Sequence, residues 1–116
     1  MQVKIYHNPR CSKSRRTLEI IQEQGVEPTI LEYLKTPPNH QELDSILNAL
    51  KMQPRELMRT GETEYLEHNL DDSSLSRDQL IAAMVKYPKL LERPVVVVGD
   101  QAVIGRPPES VLTILP

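Results

Sequence analysis

The sequence has no tryptophan, no phenylalanine and one cysteine. Its aromatics are Tyr6, Tyr33, Tyr65 and Tyr87, so Leu, Ile, Val and Met must fill the interior. A lone Cys11 excludes an internal disulfide framework and any multi-cysteine metal site. His7, His40 and His68 lack metal-ligand spacing, and no metal is expected. There is no Walker loop and no Gly-x-Gly-x-x-Gly. No apolar run approaches the ~20 residues that span a bilayer, so no membrane partner is expected. Met1-Gln2-Val3-Lys4 runs straight into a first strand, so no leader is expected and a reducing, cytoplasmic setting is. The pI is near 5.9 with the basic residues bunched in one loop, which argues against a broad nucleic-acid surface.

Acid is missing from the first sixteen residues, although the chain carries a net charge of −2. Lys4, Arg10, Lys13, Arg15 and Arg16 are therefore a local basic cluster, and Cys11 lies within it. The stretch Tyr6 to Arg16 separates a short apolar run, Val3 to Tyr6, from a helical pattern that begins near Ser14. That is a strand, a tight turn and a helix start. Free N–H groups and the positive dipole end at such a helix start attract anions. A cysteine there, beside cations, ionises more readily than a free thiol, whose pKa is about 8.5. A buried, inert cysteine is the commoner case in general. The polar and charged neighbours of Cys11 favour a thiolate held against an oxyanion.

At 116 residues the chain is expected to form one domain spanning 1–116. The first helix places Leu18, Ile21 and Ile20 inward and stops at Gly25. Thr29 to Leu34 reads as a second strand, giving a parallel βαβ unit. Asn39 with Glu42 is a capping box before Leu43, Ile46, Leu47 and Leu50. Pro54 starts a short helix that runs to Arg59. Thr60 to Asp72 is acidic and broken, with one helical turn around Tyr65 and Leu66. Ser76 with Gln79 caps a further helix bearing Leu80, Ile81, Met84 and Val85, which Tyr87-Pro88 ends. Val95 to Val98 suits a strand buried on both faces. Gly99-Asp100 turns it back onto Gln101 to Ile104. A last helix follows Pro107-Pro108, with Val111, Leu112 and Leu115 inward. The order predicts an α/β, thioredoxin-like fold: a four-stranded mixed sheet with a helical insertion between strands 2 and 3.

That topology brings the first loop beside the segment before the third strand, where a proline is often cis. Arg93-Pro94 is in that position, and Arg93 then projects toward Cys11. Arg106 approaches from the same side, and Arg59 lies further off in the inserted block. Guanidinium forks match a tetrahedral oxyanion bidentately and keep their charge. A solvated surface charge is the commoner fate of any one arginine. Arg93 and Arg106 escape it best, each at a strand end and followed by proline. Cys-x-x-Cys is absent because the fourth position is Ser14, although such a site can still form mixed disulfides. The phosphatase pattern Cys-x5-Arg is absent too, because the count from Cys11 lands on Thr17. His7 tunes the thiolate or helps a proton move, or is simply a histidine at a strand end.

With these residues in hand, the chain resembles the glutaredoxin-coupled arsenate reductase (ArsC) family. The matching stretches are Tyr6-His7-Asn8-Pro9 with Cys11 and Ser14-Arg15, Tyr33-Leu34 with Thr36-Pro37-Pro38, Arg59, Pro88, Arg93-Pro94, and Arg106-Pro107 with Ile114-Leu115-Pro116. They run over nearly the whole chain in order. The resemblance implies that Cys11 attacks arsenate to form a thiol–arsenate adduct. Glutathione then enters as co-substrate and glutaredoxin completes reduction to arsenite, with no bound cofactor. It maps the oxyanion-binding arginines onto Arg59, Arg93 and Arg106, and places His7 and Ser14 near the nucleophile. A monomer is expected. The loop Cys11-Ser12-Lys13-Ser14 replaces the Cys-Gly-Thr-Ser of the well-studied reductases, and Arg10 replaces a small residue. Both features are similar to the shorter, YfgD-like branch, and Ser12 and Lys13 can add anion donors or change which anion fits. Two other functions stay open. One is a regulatory module like the Spx-type regulators that bind RNA polymerase, whose Cys-x-x-Cys switch Ser14 removes. The other is a glutathione-linked thiol oxidoreductase without arsenate activity.

Overall fold

A computed structural model describes residues 2–92 and 94–116. These form two compact units, residues 2–36 with 94–116, and Pro37–Glu92.

The first unit carries the sheet, in the order β2-β1-β3-β4. Its strands are β1 (Val3–His7), β2 (Thr29–Glu32), β3 (Val95–Val98) and β4 (Gln101–Ile104). Helix α1 (Ser12–Glu23) joins β1 to β2, which run parallel, with His7 opposite Glu32. β3 is antiparallel to β1, with Tyr6 opposite Val95, and β4 is antiparallel to β3, with Val95 opposite Ile104. This is the expected mixed sheet. Val3, Ile5, Val96 and Val98 share one face and pack with Ile20 and Ile21 of α1 and Val111. Burying each such side chain stabilises the fold by ~1.5–3 kcal/mol. Tyr6 and Val95, one step out of register with that face, are buried as well.

Helix α1 ends in a Schellman motif. Gly25 adopts φ +77°, its N–H donates to Gln22 O at 2.9 Å, and Val26 N–H donates to Ile21 O at 3.4 Å. The helix begins at Ser12 rather than near Ser14. Its buried line is Ser14, Thr17, Ile20 and Ile21, with Leu18 half-buried. β2 stops at Glu32, because Lys35 and Thr36 N–H groups both donate to Glu32 O and turn the chain. The closing segment Pro108–Thr113 is a 3-10 helix and not an α-helix, and Leu112 faces outward at 47% exposure.

The second unit is helical: α2 (His40–Leu50), α3 (Pro54–Leu57), α4 (Thr63–Glu67), α5 (Arg77–Lys86) and a 3-10 turn at Pro88–Leu90. Both expected capping boxes form, Asn39 with Glu42 and Ser76 with Gln79. Leu43, Ile46 and Leu47 of α2 are buried, as are Leu80, Ile81 and Met84 of α5. Leu50 and Val85 are only half-buried. Tyr65 of α4 points in, and Leu66 points out at 68% exposure. α3 does not reach Arg59. Met58 is extended and bridges Leu91, Arg59 N–H donates to Leu90 O at 2.7 Å, and Glu92 N–H donates to Leu57 O at 2.8 Å.

Candidate active site

Asn8 shapes the loop after β1. Its carbonyl accepts from Cys11 N–H at 3.0 Å, and its side-chain Oδ1 accepts from Arg10 N–H at 3.0 Å. This Asx-type turn sets Cys11 at the N-cap of α1, with extended backbone (φ −94°, ψ 122°) and its thiol uninvolved in capping the helix. The Cys11 carbonyl accepts the first helical bond, from Arg15 N–H at 3.0 Å. The amides of Ser12, Lys13 and Ser14 precede that bond and face out of the helix start, where the dipole favours negative charge. Cys11 is half-buried.

Behind the loop, Ser14 and His7 are nearly sealed from solvent, at 0% and 6% exposure. Ser14 Oγ lies 2.6 Å from His7 Nδ1 and accepts Asn8 N–H at 3.1 Å. One hydroxyl therefore ties the strand end, the loop and the first helical turn. Burial holds His7 below its ordinary pKa; Glu32 across the parallel ladder opposes that shift and Arg15 adds to it. In the neutral tautomer with its proton on Nε2 the bonds run in one direction, Asn8 N–H to Ser14 Oγ and Ser14 O–H to His7 Nδ1.

The basic cluster divides by partner. Arg15 Nη1 donates to Pro9 O at 2.9 Å and braces the loop. Arg16 lies on the outer flank, 3.4 Å from both Glu19 and Glu23. Arg10 and Lys13 are exposed beside Cys11.

The ladder register puts the ends of β1, β3 and β4 at one edge of the sheet, since Tyr6, Val95 and Ile104 are aligned across it. Cys11, His7 and Ser14 follow from β1 at that edge, and Arg106 follows from β4. Gly105 locks the junction. Its N–H donates to Pro94 O at 2.9 Å, and a Cβ there would lie 2.5 Å from Thr17 Oγ1 and 2.8 Å from Pro94 Cγ. The strand end therefore packs directly on α1. Arg106 is half-buried and its peptide bond to Pro107 is cis. The cis bond expected at Arg93-Pro94, and Arg93 itself, lie outside the described residues.

Arg59 belongs to the second unit. Its Nη1 donates to Glu62 Oε1 at 2.7 Å, with the two side chains 30% and 27% exposed. Sequence reading gave no site role of their own to Asn8, Thr17, Gly105 and Glu62. Only Glu62 carried a signal, the i, i+3 spacing from Arg59 that allows such a pair. Among the described residues no group of His, Cys, Asp and Glu is arranged to hold a metal ion. No helix there is long and apolar enough to cross a membrane.

The ArsC family model matches residues 6–114. The chain is 58% identical to the Escherichia coli K12 protein YfgD, over 98% of this chain and 97% of that one. It is 47% identical to an arsenate reductase of Haemophilus influenzae, over 99% of this chain and all of the relative. Among solved structures, an arsenate reductase from Vibrio cholerae superposes with a TM-score of 0.96 at 52% identity, covering 99% of this chain and 98% of that one.

Proposed function

The chain belongs to the ArsC family, and on that premise we propose that it is a thiol-dependent arsenate reductase. The observation that carries the reading is the seat of Cys11 at the N-cap of α1, the helix end whose dipole favours negative charge. The Cys11 thiolate attacks arsenic, an S–As bond forms, and one arsenate oxygen leaves as water after protonation. Arg106 and Arg93, with Arg59, neutralise the remaining oxygens. His7 and Ser14 hold the loop in shape for the attack.

Reduction of arsenic(V) to arsenic(III) takes two electrons, the number released when two thiols become a disulfide. The chain has one cysteine, and Ser14 stands where a resolving thiol would sit. External thiols must therefore supply the balance. Glutathione enters on the Cys11 adduct, arsenite departs, and glutaredoxin clears the resulting mixed disulfide. No bound cofactor takes part, and one copy of the chain suffices, in the cytoplasm. The 1–116 chain acts as one catalytic unit.

The test is arsenate-dependent oxidation of glutathione in the presence of glutaredoxin. Turnover that disappears in Cys11→Ser supports the reading. The absence of turnover in the wild-type protein, or its persistence in Cys11→Ser, overturns it.

A further inference from the structure

Arg59 is half-buried, and its Nη1 is held by a carboxylate. It lies in a cleft of about 400 Å³ whose lining includes Thr60, Gly61, Glu62 and Glu92. Among the described residues this lining holds one cation, Arg59, and two carboxylates, Glu62 and Glu92. Glu62 makes the short contact, Oε1 to Nη1 at 2.7 Å, on a turn closed by Glu62 N–H donating to Arg59 O at 3.1 Å. The turn fixes the two side chains on one side of the backbone, and at 27% exposure the carboxylate has a path to water.

We infer that Glu62 sets the anion affinity of Arg59 by competing with the oxyanion for its guanidinium. This rests on the proposed role of Arg59 in holding arsenate. An incoming anion gains the Nη1 donor of Arg59 only by displacing the carboxylate, which swings into solvent while the guanidinium stays in place. No bond is made or broken beyond the ion-pair exchange. A tetrahedral dianion offers two oxygens to the fork and replaces what Arg59 gives up. A monoanion such as chloride does not. Glu62 thus lowers affinity for every anion that uses Arg59.

The test is Glu62→Gln, which keeps shape and hydrogen bonding and removes the charge. Sulfate, arsenate and chloride binding are measured by calorimetry, alone and in the Arg59→Ala background, alongside arsenate kinetics. Sulfate and arsenate should bind roughly two- to fivefold tighter to Glu62→Gln, the scale of a part-exposed ion pair. Chloride should become a better competitor. KM for arsenate should fall by the same factor with kcat unchanged, because the competition acts equally on ground and transition states. In Arg59→Ala the Glu62 substitution should change nothing. Unchanged or weaker sulfate binding in Glu62→Gln, or an equal gain when Arg59 is absent, overturns the inference. The sulfate measurement needs no turnover, so failure of the arsenate reading and failure of the Glu62 competition are read separately.

Discussion

Ser14 Oγ stands 2.6 Å from His7 Nδ1 while accepting the Asn8 amide, and so closes a ring around the loop that carries Cys11. Ser14→Ala would leave a buried ring nitrogen and a buried N–H without their shared partner. Stranded polar groups of this kind cost about 1–3 kcal/mol. Urea denaturation should show a loss of that size. Thiol alkylation of Cys11 should change as well, because the loop loses its brace. A Ser14→Ala protein as stable as wild type would show that the ring contributes nothing.

The same burial sets a pH dependence. His7 has its pKa lowered in the folded state, chiefly by desolvation. Between its unfolded value near 6.5 and its lower folded value, the unfolded chain binds more protons. Stability therefore rises with pH across that window and is lost as pH falls from about 7 through 6.5 toward the folded pKa. The urea midpoint of wild type should drop between pH 7.5 and 5.5. His7→Asn, whose amide reproduces the Nδ1 position without titrating, should flatten that drop. An equally steep profile in the variant would assign the dependence to other groups.

Gly105 predicts a packing effect. A methyl group there meets Thr17 Oγ1 at 2.5 Å, and that hydroxyl is held by the Lys13 carbonyl at 2.8 Å and cannot simply rotate away. Gly105→Ala should destabilise by about 1–3 kcal/mol, the usual range for overpacking. Thr17→Ala in the same chain should recover part of the loss, leaving the Pro94 contact. A thermal melt of the three proteins decides it. No loss in Gly105→Ala would mean that α1 gives way freely.

Helix α2 supplies a prediction of opposite sign. Lys51 closes it with φ 58°, the left-handed position that favours glycine. Its N–H donates to Asn48 O, and Met52 N–H donates to Leu47 O, so the backbone motif is complete without the side chain. Lys51→Gly should raise stability by about 1 kcal/mol by removing the strain on a Cβ in that region. A fall in the denaturation midpoint would refute the strain argument.

Much of this architecture was legible from local signals. Gly25 announced the end of α1, and Asn39 with Glu42 and Ser76 with Gln79 announced two helix starts, because a cap is a property of three or four consecutive residues. Hydrophobic spacing found Ile20, Ile21, Leu43 and Leu80. It failed at Ser14 and Thr17, which are polar and yet wholly buried. Their hydroxyls bond His7, the Asn8 amide and the Lys13 carbonyl, and that compensation comes from partners the helical period does not reveal. The closing segment was misread for a related reason. Thr113 Oγ1 bonds Ser110 O, Ser110 N–H bonds Pro107 O, and the short stretch tightens into a 3-10 helix. For the site, Cys11 and its basic surroundings are local and could be read. The approach of Arg106 to the same sheet edge depended on strand register. The ion pair at Arg59 depended on where α3 stops, which Met58 and its bridge to Leu91 decide.

That ion pair limits what Arg59 can give an oxyanion. Removing a charge-assisted hydrogen bond to an oxyanion costs about 1.5–3 kcal/mol, so on the proposed reading Arg106→Ala should raise the arsenate KM, or weaken sulfate binding, by roughly 10- to 150-fold. Arg59→Ala is read in two backgrounds. With Glu62 present, its net effect should be the difference between two interactions of similar kind. Glu62→Gln removes one side of that difference, so in the Glu62→Gln background the effect of Arg59→Ala should grow by the roughly two- to fivefold that Glu62→Gln itself gains. If Arg59→Ala costs the same in both backgrounds, the carboxylate is not holding Arg59 back.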